Sequence, residues 1–125
     1  MSSNNLQKLF ELRKSFMHNL EEVRPGSYPE WPLDISSKQS QQVLRETALK
    51  GIEEMFEALQ HLKNWKPHRS TDIPEFNRDA FLEEVVDAFN YFLSVLVLVG
   101  VDEEEFFESY VSKDSIIRKR LLSGY

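Results

Sequence analysis

The chain has 125 residues, of which 41% are hydrophobic and 29% charged, and it contains no cysteine. This length predicts one domain spanning residues 1-125, large enough to bury a core without cross-links. The balance of 21 acidic against 15 basic residues gives a net charge of −6, which argues against nucleic acid as a partner because duplex binding needs a cationic surface. The absence of cysteine excludes disulfides and cysteine-ligated zinc.

No segment has the pattern of a signal peptide or a membrane span. The N-terminal residues lack a continuous apolar stretch. The longest mostly apolar run, from Tyr91 to Val99, is shorter than the roughly 20 residues that cross a bilayer. We therefore predict a cytoplasmic protein with no membrane partner.

The first of four predicted helices runs from about Asn5 to Glu22, where apolar residues recur at near-helical spacing. Pro25-Gly26 ends it. A proline-rich loop follows, and we expect its aromatic residues Tyr28 and Trp31 to pack against the body of the protein.

The second predicted helix starts at Ser36 or Ser37, either of which could be its N-cap, and runs to about Trp65. Gln39 would complete a capping box with Ser36. Gly51 lies in the middle of this helix and predicts a close helix crossing. The apolar stripe of the helix comprises Val43, Leu44, Ala48, Ile52, Met55, Phe56, Leu59 and Leu62.

The last two predicted helices follow a loop at residues 68–77, which contains Pro74. The third helix, from about Arg78 to Val99, is apolar on most sides after Asp87, which is typical of a central, buried helix. Gly100 ends it, and Asp102 caps a fourth helix with Glu105 as its capping-box partner. The predicted core face of the fourth helix comprises Phe106, Phe107, Tyr110, Val111, Ile116, Ile117 and Leu121. We find no internal repeat, and four helices with short and medium loops favour a bundle.

Two acidic motifs, EEMFE and EEVVD, lie within the second and third predicted helices. Residues three or four apart share a helix face, so Glu54 is predicted to point the same way as Glu57, and Glu84 the same way as Asp87. Such acids beside core positions on facing helices would repel one another without a cation, and their oxygen ligands suit Mg²⁺ or Mn²⁺. The alternative is that they are solvated surface acids. An iron site is disfavoured, because no histidine follows a glutamate at the spacing that di-iron bundles use.

Basic residues form two groups, one after the first acidic motif and one on the last predicted helix. The groups comprise Lys63, Lys66, His68 and Arg69, and Lys113, Arg118, Lys119 and Arg120. Cations of this kind neutralise phosphate oxygens during phosphoryl transfer. The alternative is that they are ordinary solvated side chains, and the last group also complements the helix dipole. No nucleotide-binding glycine loop is present.

Together these motifs resemble the all-α NTP pyrophosphohydrolases, a superfamily that includes dimeric dUTPases, phage dCTP/dUTP pyrophosphatases and MazG-like enzymes. The family signature is an EExxE helix, an ExxD helix, and then a Lys and an Arg on a following helix. The matching segments are EEMFE, EVVD, Lys113 and Arg120. The dimeric dUTPase and phage branch also has a Lys-x-Trp, matched at residues 63–65, and an ending similar to KDSIIRKRLLSGY, which closes on Tyr125. The resemblance covers residues 44–125, roughly two-thirds of the chain.

The resemblance implies a four-to-five-helix bundle of the MazG-like or dimeric dUTPase type. It also implies Mg²⁺-dependent cleavage between the α- and β-phosphates of a nucleoside triphosphate, with dUTP or dCTP as the substrate. Its implied metal ligands are Glu54, Glu57, Glu84 and Asp87. Glu53 or Glu54 would orient or deprotonate the attacking water. The implied phosphate- and nucleotide-binding residues are Lys63, Asn90, Lys113 and Arg120.

This chain departs from the branch at three positions near its end. Asp114 and Ile117 replace two asparagines, and Leu121 replaces a glutamine. Asn90 stands where the branch often has histidine. These departures leave the nucleobase and sugar preference open without affecting the metal set.

Two other functions remain as alternatives. One is a MazG-like housecleaning enzyme that acts on non-standard or several NTPs. The other is a non-catalytic helical dimerisation or adaptor module in which the acids are solvated. Because the four helices carry much apolar surface, we predict a homodimer, and the resemblance implies either a dimer or a tetramer.

Overall fold

The computed structural model describes residues 4–72 and 75–124. Pro74, in the predicted second loop, and the terminal Tyr125 lie outside the described residues. The helices are α1 (Asn5–Val23), α2 (Lys38–Leu59), α3 (Arg78–Val99) and α4 (Glu103–Ser123). Within the described ranges there is no strand, so the predicted all-α class is confirmed.

The chain divides into two compact units. The first, here called the terminal unit, contains the residues up to Leu33 together with those from Leu96 onward, and the second, the central unit, contains Asp34–Val95. The central unit holds both acidic motifs. The expectation of one domain over residues 1-125 stays a prediction.

The start of α2 differs from the predicted capping box. Ser37 is the N-cap, and its hydroxyl accepts the Ser40 backbone N–H at 3.1 Å. The Ser36–Gln39 pairing is therefore wrong, because an N-cap bonds the residue three positions on and the helix begins one residue later. The hydroxyl of Ser36 instead donates to Asp34 at 2.6 Å.

The end of α2 comes at Leu59 rather than near Trp65. Its last turn tightens into bonds between residues three apart, as in the His61 N–H to Ala58 carbonyl bond of 3.1 Å. The loop beyond is tied by Asn64, whose side chain accepts the Thr71 backbone N–H at 2.8 Å. Leu62 continues the apolar spacing of α2 in the sequence, although the backbone has already left the helix at Leu59. The spacing alone therefore overestimated the length of the helix.

The remaining boundaries agree with the sequence. The first helix extends one residue beyond the prediction, to Val23, and the third matches it at both ends. Asp102 caps α4 and accepts the Glu105 N–H at 2.8 Å. Gly100, which ends α3, has φ +88°, and a Cβ there would lie 2.9 Å from Cβ of Pro32. Glycine therefore fits this turn on both conformational and steric grounds.

The core of the terminal unit is built around α1 and the end of α3. Phe10, Met17 and Leu98 are completely buried, and the ring centroids of Phe10 and Phe106 are 6.4 Å apart. The loop after α1 packs as predicted, because Arg13 donates to the Tyr28 hydroxyl at 3.3 Å. In the same loop the Trp31 ring lies 4.5 Å from that of His18.

We expect Glu21→Gln to weaken the terminal unit at neutral pH. The Glu21 carboxylate accepts backbone N–H bonds from Gly26 at 2.7 Å and Tyr28 at 3.2 Å, and these bonds, the Gly26 bond first, lower the pKa of Glu21. A lowered pKa stabilises the fold above the unfolded value of 4.5, and this contribution disappears as pH falls through the folded pKa. The melting-temperature difference from wild type should therefore be largest near neutral pH and should narrow below pH 4.5.

The neighbouring exposed acid supplies the control for this experiment. Glu22→Gln removes the same charge from the same turn of α1. Equal melting curves for the two variants across the pH range would contradict the role given to Glu21.

The crossing of α2 and α3 in the central unit depends on Gly51. A Cβ at this position would lie 2.6 Å from Cε1 of Phe92. Only glycine lets the Phe92 ring lie this close to the α2 backbone. The predicted close helix crossing is confirmed.

Several residues predicted to be core are exposed. No residue of α4 is buried, so its expected core face is wrong beyond Phe106, which lies half-buried near Phe10. Of the predicted α2 stripe, Ile52, Phe56, Leu59 and Leu62 are exposed, and so is Phe89 of α3. Leu49, Leu82 and Val86 are further exposed apolar residues of these two helices. Periodicity identifies an apolar face but does not say whether anything covers it.

Among the described residues, no single helix is long and apolar enough to cross a membrane. In the same described part of the chain, α3 and α4 taken together, as a pair bent at the break between them, pass this test of length and composition.

Candidate carboxylate site

An eight-residue repeat carries the candidate site. The sequence IEEMFEAL at residues 52–59 is matched by LEEVVDAF at residues 82–89, and the two octets agree in exposure position by position. Ala58 and Ala88 are both completely buried. The expectation of no internal repeat is therefore wrong at this scale. Equivalent positions of α2 and α3 carry equivalent carboxylates, with Glu54 and Glu84 half-buried in both helices.

The pKa of Glu54 is raised by all three of the other predicted metal ligands. A side-chain hydrogen bond with Glu57 is the largest cause raising the pKa of Glu54, followed by burial and by the negative charges of Glu57, Asp87 and Glu84. All four predicted ligands are thus close enough to interact electrostatically. Gathering them in one place disfavours the charged form of Glu54.

The side chains are not arranged as a metal site in this structure. Across residues 4–72 and 75–124, no three His, Asp or Glu side chains are grouped so that they could hold a metal ion. The electrostatic effect on Glu54 reaches over longer distances than metal coordination does, so the two observations are compatible. Mg²⁺ binding therefore stays a prediction.

His61 is a site residue that the sequence did not single out. Its Nε2–H donates to Oε2 of Glu84 at 3.0 Å, and its ring meets Phe81 edge-on with centroids 6.5 Å apart. The hydrogen bond fixes the direction of one predicted metal ligand. The four-residue spacing from Glu57 to His61 could have indicated a shared helix face. However, α2 ends before His61, so helical spacing does not apply to this pair.

We expect His61→Ala to weaken Mg²⁺ binding by about 10- to 100-fold, the usual effect of removing a group that orients a ligand. Isothermal titration of Mg²⁺ into the two proteins would measure this change. His68→Ala is the matched control, since His68 is exposed in the loop beyond α2. Equal affinities of wild type and His61→Ala would show that His61 does not position Glu84 for metal binding.

The other predicted site residues of the central unit lie near these acids in the sequence. Glu53 is exposed on α2 and Asn90 half-buried on α3. Lys63 lines an open pocket of about 650 Å³ together with Phe56 and Trp65. Two further cations, Lys66 and Arg69, also line this pocket. An aromatic ring beside several cations is chemically suited to an anion that carries a flat, apolar group.

Lys113 and Arg120 lie on α4, in the terminal unit, and both are exposed. Asp114, which replaces an asparagine of the resembled family, accepts a hydrogen bond from Nε of Arg118 at 2.6 Å. The same bond raises the pKa of Arg118. The negative charge of Asp114 is thus compensated by Arg118 on the same helix.

No protein-family model matches the chain, and neither a curated protein nor a solved structure is similar enough to count as a match. The assignment to a class of protein therefore goes no further than an all-α chain whose central unit bears clustered carboxylates.

Proposed function

We propose that this protein is a Mg²⁺-dependent nucleoside triphosphate pyrophosphohydrolase that releases a nucleoside monophosphate and pyrophosphate. The observation that carries the proposal is the repeated acidic octet, which places Glu54 and Glu57 on α2 and Glu84 and Asp87 at the equivalent positions of α3, close enough to Glu54 to act on its charge. Clustered acids destabilise a fold unless a cation or a proton compensates them. A function that supplies a cation explains why two helices repeat the same acidic octet.

The donor set fits Mg²⁺. All four groups are carboxylates, the hard oxygen ligands that this ion prefers, and the ion commonly binds proteins through few carboxylates together with substrate phosphates. Glu54, Glu57, Glu84 and Asp87 would hold it, with His61 orienting Glu84. Once bound, Mg²⁺ would polarise the phosphoryl oxygens under attack.

The protein's own groups supply the rest of the chemistry. The family resemblance implies that Glu54 accepts a proton from the attacking water. Glu53 is the alternative base. The pocket of Lys63 and Trp65 offers positive charge for phosphate and an aromatic face for a base. Asn90, Lys113 and Arg120 stay predictions from the family resemblance.

A substrate screen with Mg²⁺ tests this proposal. We expect pyrophosphate, rather than phosphate, to be released from at least one of the common or modified dNTPs, with dUTP and dCTP the favoured substrates. Chelation of Mg²⁺ should stop the reaction. Comparable rates with many NTPs would favour the housecleaning alternative, and the absence of pyrophosphate with every NTP would leave a non-catalytic helical module.

A further inference from the structure

The hydrogen bond between His61 and Glu84 has a counterpart position in the repeated octets. Glu84 of α3 corresponds to Glu54 of α2, and two residues beyond the octets His61 corresponds to Tyr91. All four side chains are half-buried. Exchanging the two helices therefore carries the His61–Glu84 pair onto Tyr91 and Glu54.

The two helices of the central unit run antiparallel. In the second half of α2, a Cβ on Gly51 would lie 2.6 Å from the ring of Phe92, which is late in α3. Just beyond the end of α2, Nε2 of His61 bonds Glu84, early in α3, at 3.0 Å. Residues later in α2 thus lie beside residues earlier in α3.

This register puts Tyr91 level with Glu54. In an antiparallel pair, a step toward the start of one helix matches an equal step toward the end of the other, because both rise by about 1.5 Å per residue. Seven residues back from His61 is Glu54, and seven residues on from Glu84 is Tyr91. Tyr91 and Glu54 therefore lie at matching heights of the helix pair, as His61 and Glu84 do.

Tyr91 also lies on the face of α3 that carries the acids. It follows Asp87 by four residues and Glu84 by seven, which places all three on one side of the helix. Helical spacing applies here because α3 continues to Val99. The helix thus directs Tyr91 to the side from which Glu84 reaches His61.

A tyrosine hydroxyl is chemically suited to orient a carboxylate. It donates one O–H, and an ionised carboxylate only accepts. Glu54 shares a hydrogen bond with Glu57, but a carboxyl group has two oxygens and can accept a second donor. A hydrogen bond to a charged oxygen is stronger than one between neutral groups, so it holds the carboxylate in one direction.

We propose that Tyr91 positions Glu54 for the divalent cation, its hydroxyl donating to Glu54 in the metal-bound protein as Nε2–H of His61 donates to Glu84. The proposal rests on the proposed cation site and is independent of which nucleotide is cleaved. Each half of the repeat then has one carboxylate that is held by a side chain from the other half. Tyr91 is a positioning residue that acts through Glu54.

Mn²⁺ binding by Tyr91→Phe tests this role, because the change removes the hydroxyl and keeps the ring. Mn²⁺ is the probe since it prefers oxygen ligands as Mg²⁺ does. We expect its dissociation constant to rise about 10- to 100-fold, the usual effect of losing a group that orients a ligand. Tyr110→Phe, at an exposed position of α4, is the matched control and should bind Mn²⁺ as wild type does.

Tyrosine absorbance gives a second measurement that a role in packing alone would not move. Mg²⁺ should change the near-ultraviolet absorbance of tyrosine in wild type and in Tyr110→Phe, because the Tyr91 hydroxyl gains a charged acceptor. The same addition should leave the tyrosine absorbance of Tyr91→Phe unchanged.

The outcomes separate this role from the proposed function. If wild type bound no Mn²⁺, the cation site and the role of Tyr91 would both be overturned. Saturable binding by wild type that Tyr91→Phe leaves unchanged would overturn the role of Tyr91 alone. A higher KM for a nucleotide with unchanged Mn²⁺ affinity would also overturn it, because Tyr91 would then act on the substrate rather than through Glu54.

Discussion

Replacing Glu57 by Gln and Asp87 by Asn together is expected to reduce Mg²⁺-dependent pyrophosphate release by about two to four orders of magnitude. A catalytic metal supplies several kcal/mol of transition-state stabilisation, and about 1.4 kcal/mol corresponds to a factor of ten in rate. Both changes preserve side-chain size and remove only charge. Steady-state kinetics over a range of Mg²⁺ concentrations would measure the loss.

In the metal-free protein, the same double substitution should stabilise the fold rather than impair it. The pKa of Glu54 is raised chiefly by Glu57, so the native state holds that proton more tightly than the unfolded chain does. Wild type should therefore lose stability as pH rises from 4.5 through the folded pKa of Glu54. Removing the charges of Glu57 and Asp87 should flatten this dependence and should abolish stabilisation by added Mg²⁺.

Glu46→Gln is the matched control for both measurements. Glu46 is an exposed acid on α2, two turns before Glu53. Its removal should change neither activity nor the response to Mg²⁺. A double variant that kept full activity would contradict the proposed enzyme, and one that melted lower without metal would contradict the repulsion inferred around Glu54.

Gly51→Val is expected to destabilise the protein by about 1–3 kcal/mol, the usual cost of overpacking. The new Cβ would lie 2.6 Å from the Phe92 ring, so α3 must shift or the ring must leave its place. Either response disturbs the register that sets Glu54 opposite α3. We therefore expect weaker Mg²⁺ binding as well as a lower denaturant midpoint.

Two variants distinguish the cost of blocking this crossing from the general cost of placing valine in a helix. Lys50→Val places the same side chain at the adjacent exposed position and should be nearly neutral. Combining Gly51→Val with Phe92→Ala removes the obstructing ring and should cost less than the sum of the two single changes. Strict additivity would show that the two positions do not oppose one another.

Local structure could be predicted from the sequence because local chemistry determines it. The Asp102 cap, the Gly100 turn and both ends of α3 follow from residues within a few positions of each boundary. Gly51 indicated a close crossing for a different reason, since a glycine inside a helix lowers its stability and is suited to a place where another backbone or side chain approaches closely. The family resemblance placed the four carboxylates on helices that do bring them into electrostatic reach.

Features that depend on contacts between distant parts of the chain, or on which faces stay uncovered, could not be predicted. Phe56 and Phe89 fit the apolar pattern of a core, yet both are exposed, because periodicity does not name the covering surface. The hydrogen bond of His61 to Glu84 joins residues 23 positions apart and depends on how the chain turns after α2. The octet repeat was visible in the amino-acid sequence, but only the matching side-chain exposure in the two helices showed that its positions are structurally equivalent.

The central claim is that the repeated acidic octets hold a divalent cation, and Mn²⁺ binding tests it most directly. Electron paramagnetic resonance reports free Mn²⁺, which serves as a probe for Mg²⁺ because both ions prefer oxygen ligands. We expect wild type to remove the free signal saturably, Mg²⁺ to restore it by competition, and the Glu57→Gln, Asp87→Asn protein to leave it unchanged. Equal binding by the two proteins, or none by wild type, would contradict the account.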